Sequence, residues 1–132
     1  MKDAILAIDQ GTTSTRAVLF DSNGKLLHIE QRKISTYFPS NGWVEQDPEE
    51  IWNKTQKVFL LTLKKSAYMK THIRGMGITN QRETIIAWDK ITGKPLYNAI
   101  VWQDRRTAKK CEEMEKDGLS DEISSKTGLI ID

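Results

Sequence analysis

Residues 4–8 read Ala-Ile-Leu-Ala-Ile, five apolar side chains with no polar break. Side chains alternate between the two faces of a strand, so such a run predicts a strand covered on both faces, with neighbours at both edges. A polar turn, Gln10-Gly11-Thr12-Thr13-Ser14, follows, and Arg16-Ala17-Val18-Leu19-Phe20 reads as a second strand. An Asn23-Gly24 turn signal then leads into a third strand over residues 26–34. Three strands joined by short turns predict an antiparallel meander.

Asp47, Pro48 and Glu50 mark a helix start, as N-cap, first helical residue and capping-box partner. Ile51, Trp52, Val58, Phe59 and Leu63 supply an apolar stripe near the helical period, and the helix is expected to reach about Met69. Residues 73–79 read as another strand, with Gly75 and Gly77 permitting close backbone approach. Residues 84–88 and 97–102 read as a hairpin around 89–93. Asp104 is placed to cap a helix over 105–117 that ends at Gly118, and a short helix stops near Gly128. Trp43 and Trp52 read as packing residues, and Cys111 as a helix residue facing the core.

At 38% hydrophobic and 29% charged, the 132 residues have the composition of a soluble globular chain. No apolar run approaches the roughly 20 residues of a bilayer crossing. Met1-Lys2-Asp3 leads straight into the first strand, without a signal-peptide pattern. A lone cysteine excludes an internal disulfide, and no Cys/His cluster has metal-ligand spacing. These features predict a cytoplasmic protein without structural metal. A net charge of +2 gives no ground for a nucleic-acid partner, and the basic pairs Lys64-Lys65 and Lys109-Lys110 read as solvated surface.

Chemistry concentrates in Asp9-Gln10-Gly11-Thr12-Thr13-Ser14-Thr15-Arg16, between two strands. Gly11 lets backbone amides approach an anion, and Thr12, Thr13 and Ser14 add three hydroxyl donors. Asp9, at the end of a buried strand, is suited to hold hydrated magnesium against a phosphate, and Arg16 brings a fixed positive charge. The pattern is neither a P-loop nor a dinucleotide fingerprint. An ordinary hairpin whose Thr and Ser satisfy turn backbone groups accounts for the same residues equally.

The stretch from Asp9 to Val18 resembles the first phosphate motif of carbohydrate kinases in the sugar-kinase/actin/Hsp70 superfamily. Gly42-Trp43-Val44-Glu45-Gln46-Asp47-Pro48, Gly77-Ile78-Thr79-Asn80-Gln81-Arg82-Glu83-Thr84 and the run from Thr92 to Thr107 resemble the glycerol kinases in particular. The resemblance covers essentially the whole chain. It implies a ribonuclease-H-like (actin-like) α/β fold and ATP-dependent phosphorylation of glycerol to sn-glycerol 3-phosphate. The cofactors implied are ATP/ADP and Mg2+. It matches Thr12, Thr13, Ser14 and Arg16 to nucleotide-phosphate contacts, Thr12 also to the product phosphate, and Asp9 to the carboxylate near magnesium. It matches Arg82 and Glu83 to the pair that binds the glycerol hydroxyls, and places Trp102 against the glycerol carbons. On chemistry alone, Glu83 accepts and Arg82 donates, which suits a hydroxyl's two-sided character. A plain ion pair on an exposed turn reads those two residues as well, and a core position reads Trp102 as well.

The resemblance further implies that residues 1–132 form an incomplete N-terminal lobe of a homo-oligomeric enzyme. The general base, a further substrate contact and the adenosine lobe are then expected beyond Asp132, so this chain alone is expected to be inactive and prone to self-association. Two other readings stand beside it: a kinase of the same family acting on another polyol or sugar, and a non-catalytic fragment or oligomerisation module.

Overall fold

The structure, a computed structural model, describes residues 2–132. Strands β1 (Lys2–Gln10), β2 (Ser14–Asp21) and β3 (Leu26–Lys33) form the expected antiparallel meander. Asp21 shapes the β2–β3 turn: its Oδ1 accepts from the amides of Asn23 and Lys25, both at 2.9 Å, while Gly24 takes φ 78°. A short strand β4 (Glu45–Gln46) precedes helix α1 (Pro48–Tyr68). Strand β5 (Thr71–Thr79) then returns to pair parallel with β1, giving a mixed sheet of order β3-β2-β1-β5. Strand β6 (Ala99–Ile100) pairs antiparallel with β4 in a second, two-stranded sheet, and helices α2 (Ala108–Lys116) and α3 (Ser120–Thr127) follow.

Helix α1 starts where expected. Asp47 accepts from the Glu49 amide at 2.9 Å, and Pro48 occupies the first turn, where its missing N–H costs no helical bond. Glu50 does not close a capping box. Its Oε1 accepts from the amide (3.3 Å) and hydroxyl (2.9 Å) of Ser35 and pairs with Lys54, tying the helix to the chain leaving β3.

The core joins Ala4, Leu6, Ile8 and Leu19 to Leu27, Phe59, Leu63 and Ile73. Coverage of β1 is one-sided, contrary to the two-sided burial expected from its unbroken apolar run. Leu6 is 1% exposed but Ile5, on the other face, is 44% exposed, because α1 lies over one face only. Along α1 the fully buried line is Val58, Thr62 and Ser66, at spacing four. These small side chains let the helix sit close to β2, with the Thr62 hydroxyl donating to the Ala17 carbonyl at 3.4 Å. Of the expected stripe, Val58, Phe59 and Leu63 face the core, whereas Trp52 is exposed.

Further expectations need correcting. Gly75 and Gly77 meet no close backbone: a side chain at Gly77 would find nothing within 4 Å. The hairpin over 84–102 is reduced to single antiparallel bridges, Ile85 with Ile100 and Trp88 with Pro95, closed by the Asp89 turn. Asp104 does not cap α2, which begins at Ala108 after Thr107 without a side-chain cap; Asp104 is held elsewhere, as described below. No residue of α2 is buried, so Cys111 is half-buried on a surface helix rather than core-facing.

One-sided coverage makes adjacent residues unequal. Leu6→Ala is expected to lower the stability of this chain by about 2–5 kcal/mol, whereas Ile5→Ala should cost less than about 1.5 kcal/mol. Urea unfolding of the two variants checks this, and equal losses would mean that the second face is covered in solution.

Candidate functional site

The turn between β1 and β2 is built by its own backbone and by side chains from distant segments. The Gly11 amide donates to the Ser14 carbonyl at 3.0 Å, so it closes the turn rather than facing an anion as expected. A Cβ at Gly11 would lie 3.1 Å from that carbonyl, which is why the position takes no side chain comfortably. The Thr13 carbonyl accepts from Ile34 at 2.9 Å, and the Thr12 carbonyl accepts from Gln46 Nε2 at 2.7 Å. The amides of Thr12 and Thr13 remain the turn's free donors among the described residues.

Helix α1 fixes the strands beneath the turn. Thr55 Oγ1 donates to Gln10 Oε1 at 2.8 Å and lies 3.0 Å from Thr15 Oγ1. Since a hydroxyl carries one proton, Thr15 is the donor in the second contact. Ser14 is buried, and its hydroxyl accepts from Gln31 Nε2 at 2.8 Å, while Thr13 is exposed. Asp9 and Arg16 face one another across the β1–β2 ladder and pair at 2.5 Å, with Arg16 Nε left without a partner.

Residues 80–84 form a turn at the end of β5. Glu83 has φ 62°, a left-handed conformation that costs a residue with a Cβ of order 1–3 kcal/mol and needs support from its surroundings. Support comes from Thr84 Oγ1, which donates to Gln81 Oε1 at 3.1 Å, and from Gln81 Nε2, which donates to Gln46 Oε1 at 2.9 Å. Arg82 and Glu83 are exposed and form no ion pair with each other or with any other described residue. Trp102 is half exposed, and its indole Nε1 donates to Thr12 Oγ1 at 2.9 Å, so it is not a core tryptophan.

A cleft of about 300 Å³ results, lined by Gly11, Thr12, Asn80, Gln81, Arg82, Glu83 and Trp102. A second, of about 370 Å³, shares Glu83 and Trp102 and runs along Ile85, Ile100, Leu129 and Ile130. The fold thus brings Thr12, Arg82, Glu83 and Trp102 together, although they lie up to 90 positions apart in sequence. Thr13, Ser14, Arg16 and Asp9 surround the same turn without lining the cleft. Among the described residues no group of three His, Cys, Asp or Glu side chains is arranged to hold a metal ion, so Asp9 stands as a single carboxylate. No helix is long and apolar enough to cross a membrane.

Asp104, expected as a helix cap, instead lines the second cleft with Arg106 and joins Arg106 and Glu45 in a buried charged cluster. Glu45, 1% exposed, accepts from Tyr97 Oη (3.0 Å), Asn98 Nδ2 (2.9 Å) and Arg106 Nη2 (2.7 Å). Arg106 also grips Asp104, with Nε to Oδ1 and Nη2 to Oδ2 both at 2.8 Å, and stacks 3.9 Å above the Trp43 ring. The Val44 amide donates to Asp104 Oδ2 at 2.6 Å. Hydrogen bonds from Arg106, opposed by burial and helped by the Val44 amide, hold the Asp104 carboxyl at about 2. Hydrogen bonds from Asn98 and then Arg106 keep Glu45 below the ordinary carboxylate range, again against burial. Gln46, Gln81, Glu45 and Asp104 all lie inside conspicuous motifs, yet nothing in their spacing reveals that they meet.

Because the Asp104 carboxyl is held at about 2 in the folded state and lies at about 3.9 in the unfolded one, the unfolded state binds more protons between those values. Its contribution is complete above about pH 5 and is lost as pH falls toward 2, with Glu45 acting in the same direction. Asp104→Asn should therefore flatten the acid limb of stability against pH. Arg106→Ala, which strands two buried carboxylates, should cost about 3–5 kcal/mol. Denaturation midpoints measured from pH 7 to pH 2 check both.

Residues 4–132 match the N-terminal domain of the FGGY family of carbohydrate kinases. A glycerol kinase of Sinorhizobium fredii is 52% identical over 128 residues, covering 97% of this chain and 26% of that protein. A glycerol kinase of Bacillus mycoides is 49% identical over 132 residues, all of this chain and 27% of the relative. The chain therefore spans about a quarter of the length of the curated relatives it matches. The ADP-bound structure of Plasmodium falciparum glycerol kinase superposes with TM-score 0.90 at 37% identity, covering 99% of this chain and 26% of that one. A gluconate kinase of Lactobacillus acidophilus shares the fold, with TM-score 0.84 at 24% identity. The mixed sheet and flanking helices are thus those of the actin-like, ribonuclease-H-like kinases, and the chain belongs to the FGGY family of carbohydrate kinases.

Proposed function

We propose that the full-length protein transfers the γ-phosphoryl group of ATP to a terminal hydroxyl of glycerol, giving sn-glycerol 3-phosphate, and that residues 1–132 supply its N-terminal lobe. The observation that carries the proposal is the convergence of Thr12 with Arg82, Glu83 and Trp102 on one cleft. About half of the residues are identical to those of glycerol kinases over the whole chain, which favours glycerol over another polyol.

The chemistry divides between the two edges of that cleft. Thr12 and Thr13 offer free amides and hydroxyls to phosphate oxygens, and Ser14, buried on Gln31, supports the turn from beneath. Arg82 and Glu83, exposed and unpaired, offer a donor and an acceptor to neighbouring hydroxyls. A small uncharged triol is recognised only through such directed bonds. Trp102, anchored by its indole N–H on Thr12, presents an apolar ring to the carbon chain. Asp9 suits magnesium held through water, as one carboxylate plus substrate phosphates commonly does, and the ion would neutralise charge on the transferring group. Arg16, which pairs with Asp9 in this structure, would then be free to face phosphate. In this reading the base that takes the hydroxyl proton and the adenosine site belong to the rest of the polypeptide, and the enzyme is a cytoplasmic homo-oligomer.

The full-length protein is expected to phosphorylate glycerol with ATP and magnesium in preference to xylulose, gluconate and other polyols. A coupled ADP-release assay across that panel is the test, and preference for a different acceptor would replace glycerol in the proposal. Arg82→Ala should raise the glycerol KM roughly 10- to 100-fold with little change in the KM for ATP, because the lost partner leaves a polar group unmatched. Unchanged glycerol kinetics would remove Arg82 from the site.

A further inference from the structure

We infer that Gln46 is a positioning residue that locks the phosphate turn to the substrate loop at a fixed separation; as a statement about catalysis, this rests on the kinase reading above. Gln46 is 0% exposed and touches three segments that are remote in sequence. Its Nε2 donates to the Thr12 carbonyl at 2.7 Å and to Thr36 Oγ1 at 3.0 Å, and its Oε1 accepts from Gln81 Nε2 at 2.9 Å. Gln81 in turn accepts from Thr84 Oγ1 at 3.1 Å. The circuit closes through Trp102, whose amide lies 3.4 Å from Thr84 Oγ1 and whose indole donates to Thr12 Oγ1 at 2.9 Å. The turn carrying Thr12 and the loop carrying Arg82 and Glu83 are therefore two sides of one hydrogen-bonded ring.

The chemistry requires an amide at position 46. Two N–H groups leave one end, one toward Thr12 and one toward Thr36, and the oxygen at the other end meets a donor. Turning the amide over would set its oxygen against the Thr12 carbonyl, so the observed orientation is the only one that satisfies all three contacts. A carboxylate of the same shape would lose both donors and face the Thr12 carbonyl with lone pairs. The strained backbone of Glu83 lies two residues from Gln81, so the far end of the relay steadies the conformation that presents Arg82 and Glu83 to the cleft. Phosphoryl transfer depends on the distance between acceptor hydroxyl and phosphate, and a misplacement of about 1 Å from outside the reacting groups costs on the order of 100-fold.

The test uses the full-length protein with three variants. Gln46→Glu cuts the relay at the turn; Gln81→Leu cuts it at the loop; Thr36→Val removes the third contact of the same buried amide and serves as the stability control. Amide hydrogen exchange is followed at the bonded amides that flank the two segments, Gly11 (to the Ser14 carbonyl) and Ile85 (to the Ile100 carbonyl), and kcat is measured per nucleotide-binding-competent molecule. Gln46→Glu is expected to raise exchange about tenfold at both amides, Gln81→Leu at Ile85 alone, and Thr36→Val at neither. The two relay variants should lower kcat roughly 10- to 100-fold while Thr36→Val leaves it near wild type. Unchanged exchange in Gln46→Glu and Gln81→Leu, or equal losses of kcat in all three variants, would overturn the inference. If the wild type phosphorylates no polyol, the kinase reading fails on its own, and the exchange pattern alone still decides whether Gln46 couples the two segments.

Discussion

The Glu45 carboxylate, almost completely buried, is the constraint around which the second half of the chain is arranged. A buried carboxylate is tolerated only when its oxygens are matched, and Glu45 is matched by Tyr97, Asn98 and Arg106, from more than 50 positions away. Arg106 is matched in turn by Asp104 and by the face of Trp43. Only two residues of β4 and two of β6 form ladder contacts, too few to hold a sheet by themselves. The charged cluster supplies what the short ladder lacks, and it places Trp102 beside Thr12.

A second constraint acts under the main sheet. Small residues on α1 bring the helix close to β2, and the same closeness lets Thr55 reach Gln10 and Thr15. The turn carrying Thr12 and Thr13 is thus held by helix α1 below, by Gln46 at its side and by the Gly11–Ser14 bond within. For the phosphoryl transfer proposed above, such multiple fixation would keep donors in place that need no further organisation when a phosphate binds.

The two sides of the cleft differ in character. The turn side is braced by hydrogen bonds from Gln46 and within the turn, with the Thr12 and Thr13 amides left free. The loop side presents an arginine and a glutamate without partners, on a backbone held in a left-handed conformation. Unpaired exposed charges on a strained segment add nothing to stability, so folding does not account for them.

Local chemistry was legible in the sequence. The meander follows from apolar runs and an Asn-Gly turn, α1 from Asp47 and Pro48, and membership of the carbohydrate kinases from motifs that lie contiguous along the chain. What periodicity misjudged was burial that depends on distant partners. The unbroken run in β1 predicted two covered faces, but only one helix lies against it here. The buried line of α1 is polar at Thr62 and Ser66, so hydrophobic periodicity passed over it. Asp104 has the residue type and position of a helix cap, yet Arg106 and the Val44 amide claim it instead. Gln46 and Gln81 carry no signal of their own, since an amide gains meaning only from the three groups that surround it. Residue type and order along the chain determined the elements and the family. Contacts between residues 34 to 90 positions apart, which only the folded chain creates, decided which polar groups are buried, which remain free, and that Thr12, Arg82, Glu83 and Trp102 share one cleft.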